Sequence, residues 1–163
     1  MKLRLRDFLS TLPAALVSAF SYDRKVLLER HVAGRDLAIS IVDGQVLPIV
    51  EAVPHDEDFY DFAARYTIGR TTFACPAVLG DAETARAQEL AGEVWDLLGC
   101  RGFARVDLMY DEDAGELYVL EVNAVPGLTE TSLLPLAADA ADMGFDDFVA
   151  RVVGLALSAG ATA

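Results

Sequence analysis

The sequence predicts an α+β fold, a mainly antiparallel sheet covered by helices. Three observations lead there. Two hairpin signatures, Asp43-Gly44 and Asp113-Ala114-Gly115, each lie between strand-like runs, and hairpins join antiparallel neighbours. Segments with helical periodicity stand between and after these hairpins. Finally, no internal repeat and no linker divides the 163 residues, a length suited to one sizeable core.

The opening residues imitate a secretory signal, with Lys2, Arg4 and Arg6 ahead of the apolar stretch Phe8 to Phe20. Asp7, Ser10, Thr11 and Pro13 interrupt that stretch, while Leu9, Leu12, Leu16 and Phe20 recur at helical spacing, so an amphipathic helix is expected instead. Lys25 to Val32 reads as a strand, and its apolar centre Val26-Leu27-Leu28 predicts burial on both faces. Leu37 to Val42 and Gln45 to Val50 should pair antiparallel about Asp43-Gly44. His55 to Arg70 lacks a period and is expected to be a long loop with a helical turn.

Thr71 to Cys75 predicts a short strand stopped by Pro76. A helix should follow from Asp81, its N-cap, with Leu90, Val94, Leu97 and Leu98 on one face and Gly99 closing the end. Gly102 to Tyr110 and Glu116 to Asn123 predict two more strands, then a loop at Pro126-Gly127. Helices are expected near Ser132 to Ala141 and Asp146 to Leu157, with a frayed tail from Ser158.

Composition excludes several partners. The formal net charge of −13 would repel nucleic-acid phosphates and anionic membrane surfaces, and it suits a site that holds divalent metal. No apolar run approaches the roughly 18 residues of a membrane span. Cys75 and Cys100 are too few and too distant for a disulfide framework or zinc ribbon, and each predicts a small buried hydrophobe.

The chemistry concentrates in the last two strands. Side chains alternate along a strand, so Arg105 and Asp107 share one face, as do Glu121 and Asn123. Closing the hairpin with Glu112 opposite Glu116 would set Asp107 opposite Glu121 and Arg105 opposite Asn123. Two facing carboxylates destabilise a sheet unless a cation lies between them. Their oxygen ligands suit Mg²⁺, which is held by one or two carboxylates together with substrate phosphates. Arg105, on the same face, would neutralise phosphate oxygens. Asn123 also stands shortly before a loop entering a helix, where anions are favoured. A half-solvated hairpin with a charged outer face would carry the same residues without any metal.

The run Leu98-Gly99-Cys100-Arg101-Gly102-Phe103-Ala104-Arg105-Val106-Asp107 is followed by Leu120-Glu121-Val122-Asn123, Pro126-Gly127-Leu128-Thr129 and Ser132-Leu133-Leu134-Pro135. This order resembles the C-terminal signature of D-alanine-D-alanine ligases, peptidoglycan-precursor enzymes of the ATP-grasp superfamily. The resemblance runs upstream through Phe59-Tyr60-Asp61, Arg65-Tyr66 and Cys75-Pro76-Ala77 to Val26-Leu27-Leu28-Glu29, and spans Tyr22 to Leu157.

It implies a single ATP-grasp C-terminal domain over 1–157, residues 1–24 being the leading helix of the central lobe. It further implies ATP and two Mg²⁺ ions (or Mn²⁺) as cofactors, D-alanine as substrate and a cytoplasmic enzyme compatible with a homodimer. Asp107, Glu121 and Asn123 would be metal ligands. Arg105 would stabilise the tetrahedral transition state, Gly127 would offer its backbone NH to the oxyanion and substrate pocket, and Tyr66 would join the catalytic set. Glu29, Arg30, His31 and Val32 would form the hinge meeting adenine, Asp36 would hold ribose, and Arg65 would reach the phosphates with Tyr66 from a mobile loop. Ser132 and Leu133 would contact the second D-alanine.

The family usually has Glu at position 36 and Lys at 65, and Ala124 replaces its Ser, Thr or Pro. Arg and Lys differ in geometry and hydration, so the change at 65 bears on phosphate contact. The family's N-terminal domain has no counterpart here, so the chain is expected to hold only part of the site and to be weak or inactive unless that domain is supplied in cis or in trans. Two rivals remain: a non-catalytic nucleotide-binding or interaction module on the same fold, and another ATP-grasp carboxylate-amine ligase.

Overall fold

A computed structural model describes residues 5–54 and 71–160, which divide into two compact units between His31 and Val32. The first unit holds helix α1 (Leu5–Phe20), with Pro13 inside it. The helix is followed by a turn in which Ser21 Oγ donates to the Ser18 carbonyl at 2.6 Å. Beyond it the expected strand at Lys25 to Val32 is not formed, and Leu27 and Leu28 are 78% and 66% exposed. An apolar run becomes a strand only beside a partner that takes up its N–H and C=O groups, and among the described residues no strand pairs with this one.

Burial on both faces is found instead one segment later, in β1 (Arg35–Val42). Every residue from Leu37 to Val42 is buried. Leu37, Ile39 and Ile41 point to one hydrophobic cluster, and Ala38 and Val42 to another. The alternation follows from the two-residue period of a strand, and burial of each large aliphatic side chain contributes roughly 1.5–3 kcal/mol.

Asp43 and Gly44, both at positive φ (53° and 77°), turn the chain into β2 (Gln45–Val46), as the Asp-Gly signal predicts. The return strand is not continuous. Ile41 faces Val46, but Ala38 faces Val50, so the register moves by one residue across Leu47-Pro48-Ile49. Proline lacks the N–H a ladder requires, which accounts for the break. Pairing resumes as β3 (Val50–Pro54), and β4 (Thr71–Ala74) lies antiparallel to β3.

Helix α2 (Asp81–Leu97) begins one residue earlier than the cap assignment expects, with Gly80 as N-cap and Asp81 inside the first turn. Its acids Asp81 and Glu83 complement the positive end of the helix dipole. Gly99, at φ 62°, provides the left-handed residue after its end. The next strands, β5 (Phe103–Asp111) and β6 (Glu116–Asn123), complete a sheet in the order β4-β3-β1-β5-β6, with β2 attached to β1 and every pair antiparallel. Helices α3 (Leu133–Asp139) and α4 (Phe145–Gly160) close the chain. The last helix continues three residues past its expected end.

The sheet is the middle of three layers. On one face Ala87, Ala91 and Trp95 of α2 pack on Leu37, Ile39, Ile41, Val106 and Leu108. On the other, Leu134, Ala137, Ala138 and Phe148 of α3 and α4 pack on Ala38, Val42 and Val50. The α+β class expected from the sequence is therefore the class observed. Arg35 ties the layers at one end: its Nε and Nη2 donate to Glu51 at 2.7 and 2.5 Å, and Nη2 also donates to the Val78 carbonyl at 2.7 Å. The hydrogen bond to Glu51 holds this guanidinium above its ordinary pKa, against the opposing effect of burial. Both cysteines are half-buried and free, rather than buried as expected.

Two outcomes test this packing. Phe148 is 1% exposed, so Phe148→Ala should lower unfolding free energy in urea by about 3–5 kcal/mol, whereas Val153→Ala, at a 51% exposed position, should change it by less than about 0.5. Burial, reinforced by Asp139, pushes the Cys75 thiol up from its ordinary value. The folded state therefore favours the neutral thiol. As pH rises past about 9 the unfolded thiol ionises first and the native state loses relative stability, an effect Cys75→Ser should flatten in a stability-against-pH series.

Candidate functional site

The site face of the sheet is built on β5. Ala104, Val106 and Leu108 point to the α2 side, so Arg105 and Asp107 point to the α3–α4 side. There they form a bidentate ion pair, with Arg105 Nε on Asp107 Oδ1 at 2.6 Å and Nη2 on Oδ2 at 2.8 Å. Both are buried, at 7% and 4% exposure. In a poorly solvated setting each charge compensates the other, and removing one partner would strand the second.

β6 brings the remaining polar groups to the same face. Asp107 faces Glu121 and Arg105 faces Asn123, the pairing expected from the sequence. The turn that leads there differs from expectation. Asp111, not Glu112, faces Glu116, because the Asp111 carbonyl accepts the Gly115 N–H at 2.8 Å and its carboxylate accepts the Ala114 N–H at 3.1 Å. That closes the hairpin one residue early. Left uncorrected, it would set Leu120 against Asp107 and turn Glu121 toward the α2 side. A register shift between Asp107 and Leu108 absorbs one extra residue on β6 and restores the pairing. Two departures from the simple hairpin thus cancel at the functional end.

The ladder continues across β1. Ser40 faces Arg105 and Ala38 faces Asp107, giving one row Ser40–Arg105–Asn123 and a second row Ala38–Asp107–Glu121. Asp36, half-buried, stands on the same face one row further along, opposite Met109. Ser40 was not singled out in the sequence. It is fully buried, and its Oγ has no hydrogen-bond partner among the described residues. The one available signal was a lone hydroxyl inside the apolar run Leu37-Ala38-Ile39-Ser40-Ile41-Val42.

After β6 the chain passes buried Pro126 into the loop that enters α3. Ser132 is the N-cap of α3, its N–H donating to the Thr129 carbonyl at 2.8 Å and its Oγ lying 2.8 Å from Thr129 Oγ1. A Cβ at Gly127 would meet Ser132 Oγ at 2.6 Å, so any larger residue there would require the Ser132 hydroxyl to turn away from its present position. Leu133 is half-buried against the α3–α4 cluster. The structure thus gathers Arg105, Asp107, Glu121 and Asn123, with Asp36 on the same face, and separately brings Gly127 beside Ser132. Glu29, Arg30 and His31 belong to the first unit, and Val32 begins the second. Arg65 and Tyr66 lie outside the described residues.

Asp107, Glu121 and Asn123 offer only oxygens. Among the described residues no group of three His, Cys, Asp or Glu side chains is disposed to hold a metal. Two carboxylates and an amide fit a hard divalent ion that takes its other ligands from phosphate and water, and do not fit a protein-only metal cage. A cavity of about 440 Å³ bordered by Glu83, Arg86, Tyr110 and Leu117 lies on the α2 side of the sheet and includes none of these residues. No described helix is long and apolar enough to cross a membrane.

Comparison with known proteins identifies the family. Residues 7–154 match the family model described as D-ala D-ala ligase C-terminus. The D-alanine–D-alanine ligases of Syntrophotalea carbinolica and Geobacter sulfurreducens are each 45% identical, over 142 and 144 residues, covering 87% of this chain and 46% and 45% of their own lengths. The crystal structure of the D-alanine–D-alanine ligase of Bacillus anthracis complexed with ATP superposes with a TM-score of 0.78 at 29% identity, over 92% of this chain and 47% of that one. The VanG D-Ala:D-Ser ligase of Enterococcus faecalis gives 0.75 at 28% identity, over 90% and 43%. The chain spans about half the length of the relatives it matches. By sequence and by fold, the chain belongs to the D-alanine–D-alanine ligase family, as its C-terminal domain.

Proposed function

We propose that this chain is the ATP- and Mg²⁺-binding part of an enzyme that joins two D-alanines. The carboxylate of the first attacks the γ-phosphorus of ATP, which leaves ADP and an acyl-phosphate. The amine of the second attacks the acyl carbon, phosphate departs, and the amine proton is lost as the dipeptide forms. The observation that supports this reading is the shared face of Asp107, Glu121, Arg105 and Asn123 on two hydrogen-bonded strands.

Asp107, Glu121 and Asn123 would hold two Mg²⁺ ions, and Mn²⁺ has the same preference for oxygen ligands. Such ions would supply screening of the phosphate charge during phosphoryl transfer. Arg105 lies beside them and stabilises the negative charge that develops when the amine attacks. Glu29 to Val32 meet adenine and Asp36 holds the ribose, its side chain one methylene shorter than the family's usual Glu. Arg65 and Tyr66 cover the phosphates. Gly127 offers its N–H to the developing oxyanion, and Ser132 with Leu133 receives the carboxylate of the second D-alanine.

Residues 1–157 act as one ATP-grasp domain in a cytoplasmic enzyme, with the remaining half supplied in cis or in trans. The likeness to a D-Ala:D-Ser ligase makes the identity of the second substrate a matter for a direct screen.

Calorimetry with ATP should show binding that depends on Mg²⁺. Glu121→Gln and Asp107→Asn, which keep size while removing charge, should each weaken it about tenfold or more, roughly 1.4 kcal/mol; unaltered affinity in both would remove the metal assignment. D-alanine-dependent phosphate release should be weak or undetectable from this chain alone, and should rise on adding the N-terminal half of a relative. No release under either condition, with D-alanine, D-serine or D-lactate as second substrate, would favour a non-catalytic binding module.

A further inference from the structure

The ion pair that closes the site on its own also occupies the group the metal requires. Both oxygens of Asp107 accept from Arg105. For Asp107 to turn an oxygen to a cation, Nε or Nη2 of Arg105 must give up its bond to that oxygen, and at 7% exposure an acceptor within the protein is the nearest replacement for it. One unused acceptor lies directly across the ladder. Ser40 faces Arg105 in register on the same side of the sheet, where opposed β-carbons stand about 4.5–5.5 Å apart. It is fully buried, and its Oγ has no partner among the described residues.

An unsatisfied buried hydroxyl is a cost that alanine would not carry. Its presence in an otherwise apolar run is explained if the hydroxyl is used in another state of the site. We propose that Ser40 is a positioning residue for Arg105: when metal and nucleotide phosphate draw Asp107 away, Ser40 Oγ accepts a hydrogen bond from the released guanidinium. Arginine is thereby kept on the site face, aimed at the phosphates. The inference rests on the metal-binding reading of Asp107 and goes beyond it by assigning β1 a part in the loaded state.

The test separates the two ideas. Wild type, Ser40→Ala and Ser40→Thr are compared by thermal unfolding without ligand and by calorimetry with ATP plus Mg²⁺. Ser40→Ala should unfold at the same or a higher temperature than wild type when free, since it loses an unpaired hydroxyl. It should nonetheless bind ATP with Mg²⁺ about tenfold more weakly, and Ser40→Thr, which keeps the hydroxyl, should recover most of that loss. A purely structural serine would lower free-state stability and leave affinity unchanged. Unchanged affinity in Ser40→Ala, with wild-type binding intact and dependent on Mg²⁺, overturns the role of Ser40 and leaves the metal reading standing. Absence of any Mg²⁺-dependent binding in wild type overturns both.

Discussion

The buried pair of Arg105 and Asp107 is the constraint around which the site is arranged. Two opposite charges at the centre of a sheet are tolerated because each satisfies the other through two hydrogen bonds at 2.6 and 2.8 Å. The pair also explains how a carboxylate is held in the core at 4% exposure. Its counter-charge is built in, on the same strand and the same face. Under the proposed function, a nucleotide bound with divalent metal would replace that arrangement, metal taking Asp107 while phosphate and Ser40 take Arg105.

Register decides which other groups join them. β5 is flanked by β1 and β6, and its rows reach Ser40 and Ala38 on one side and Asn123 and Glu121 on the other. The extra residue in β6 is the device that turns Glu121 and Asn123 to the site face after the turn at Asp111 has set the opposite parity. Val122 accordingly packs toward the α2 cluster. A strand has only two faces, so a one-residue displacement exchanges its polar and apolar sides entirely. Bulges recur beside functional sites for this reason.

The three-layer packing makes the polar face affordable. β1 is buried along Leu37 to Val42 and carries both hydrophobic clusters, so the sheet does not rely on its polar edge for stability. β6 lies at the edge, where Glu121 is exposed and Asn123 half-buried, and the same strand is open to solvent and ligand. The row therefore runs from the core outward, with Asp107 buried at its inner end and Glu121 exposed at its outer end.

Local chemistry was legible in the residues themselves. Asp43-Gly44, the helix α2 with Gly99 behind it, and the alternation of Arg105 and Asp107 each depend on neighbours within a few positions, and each reappears in the fold. The face expected of α2 does so only in part, since Leu90 and Val94 pack on the sheet while Leu97 and Leu98 are 83% and 59% exposed and Ala87, Ala91 and Trp95 are the buried residues. The ordered motifs from Leu98 to Pro135 carried the family by resemblance. Tertiary structure alone decided the rest. Val26-Leu27-Leu28 has the composition of a core strand yet finds no ladder among the described residues, while Leu37 to Val42 becomes the central strand, because burial depends on which segments find partners and composition does not name them. The turn at Asp111 and the compensating bulge were equally hidden, since two one-residue shifts that cancel leave the expected pairing intact. Ser40 acquired meaning only when β1 was laid against β5, for a hydroxyl's lack of a partner is a property of its surroundings and not of its place in the chain.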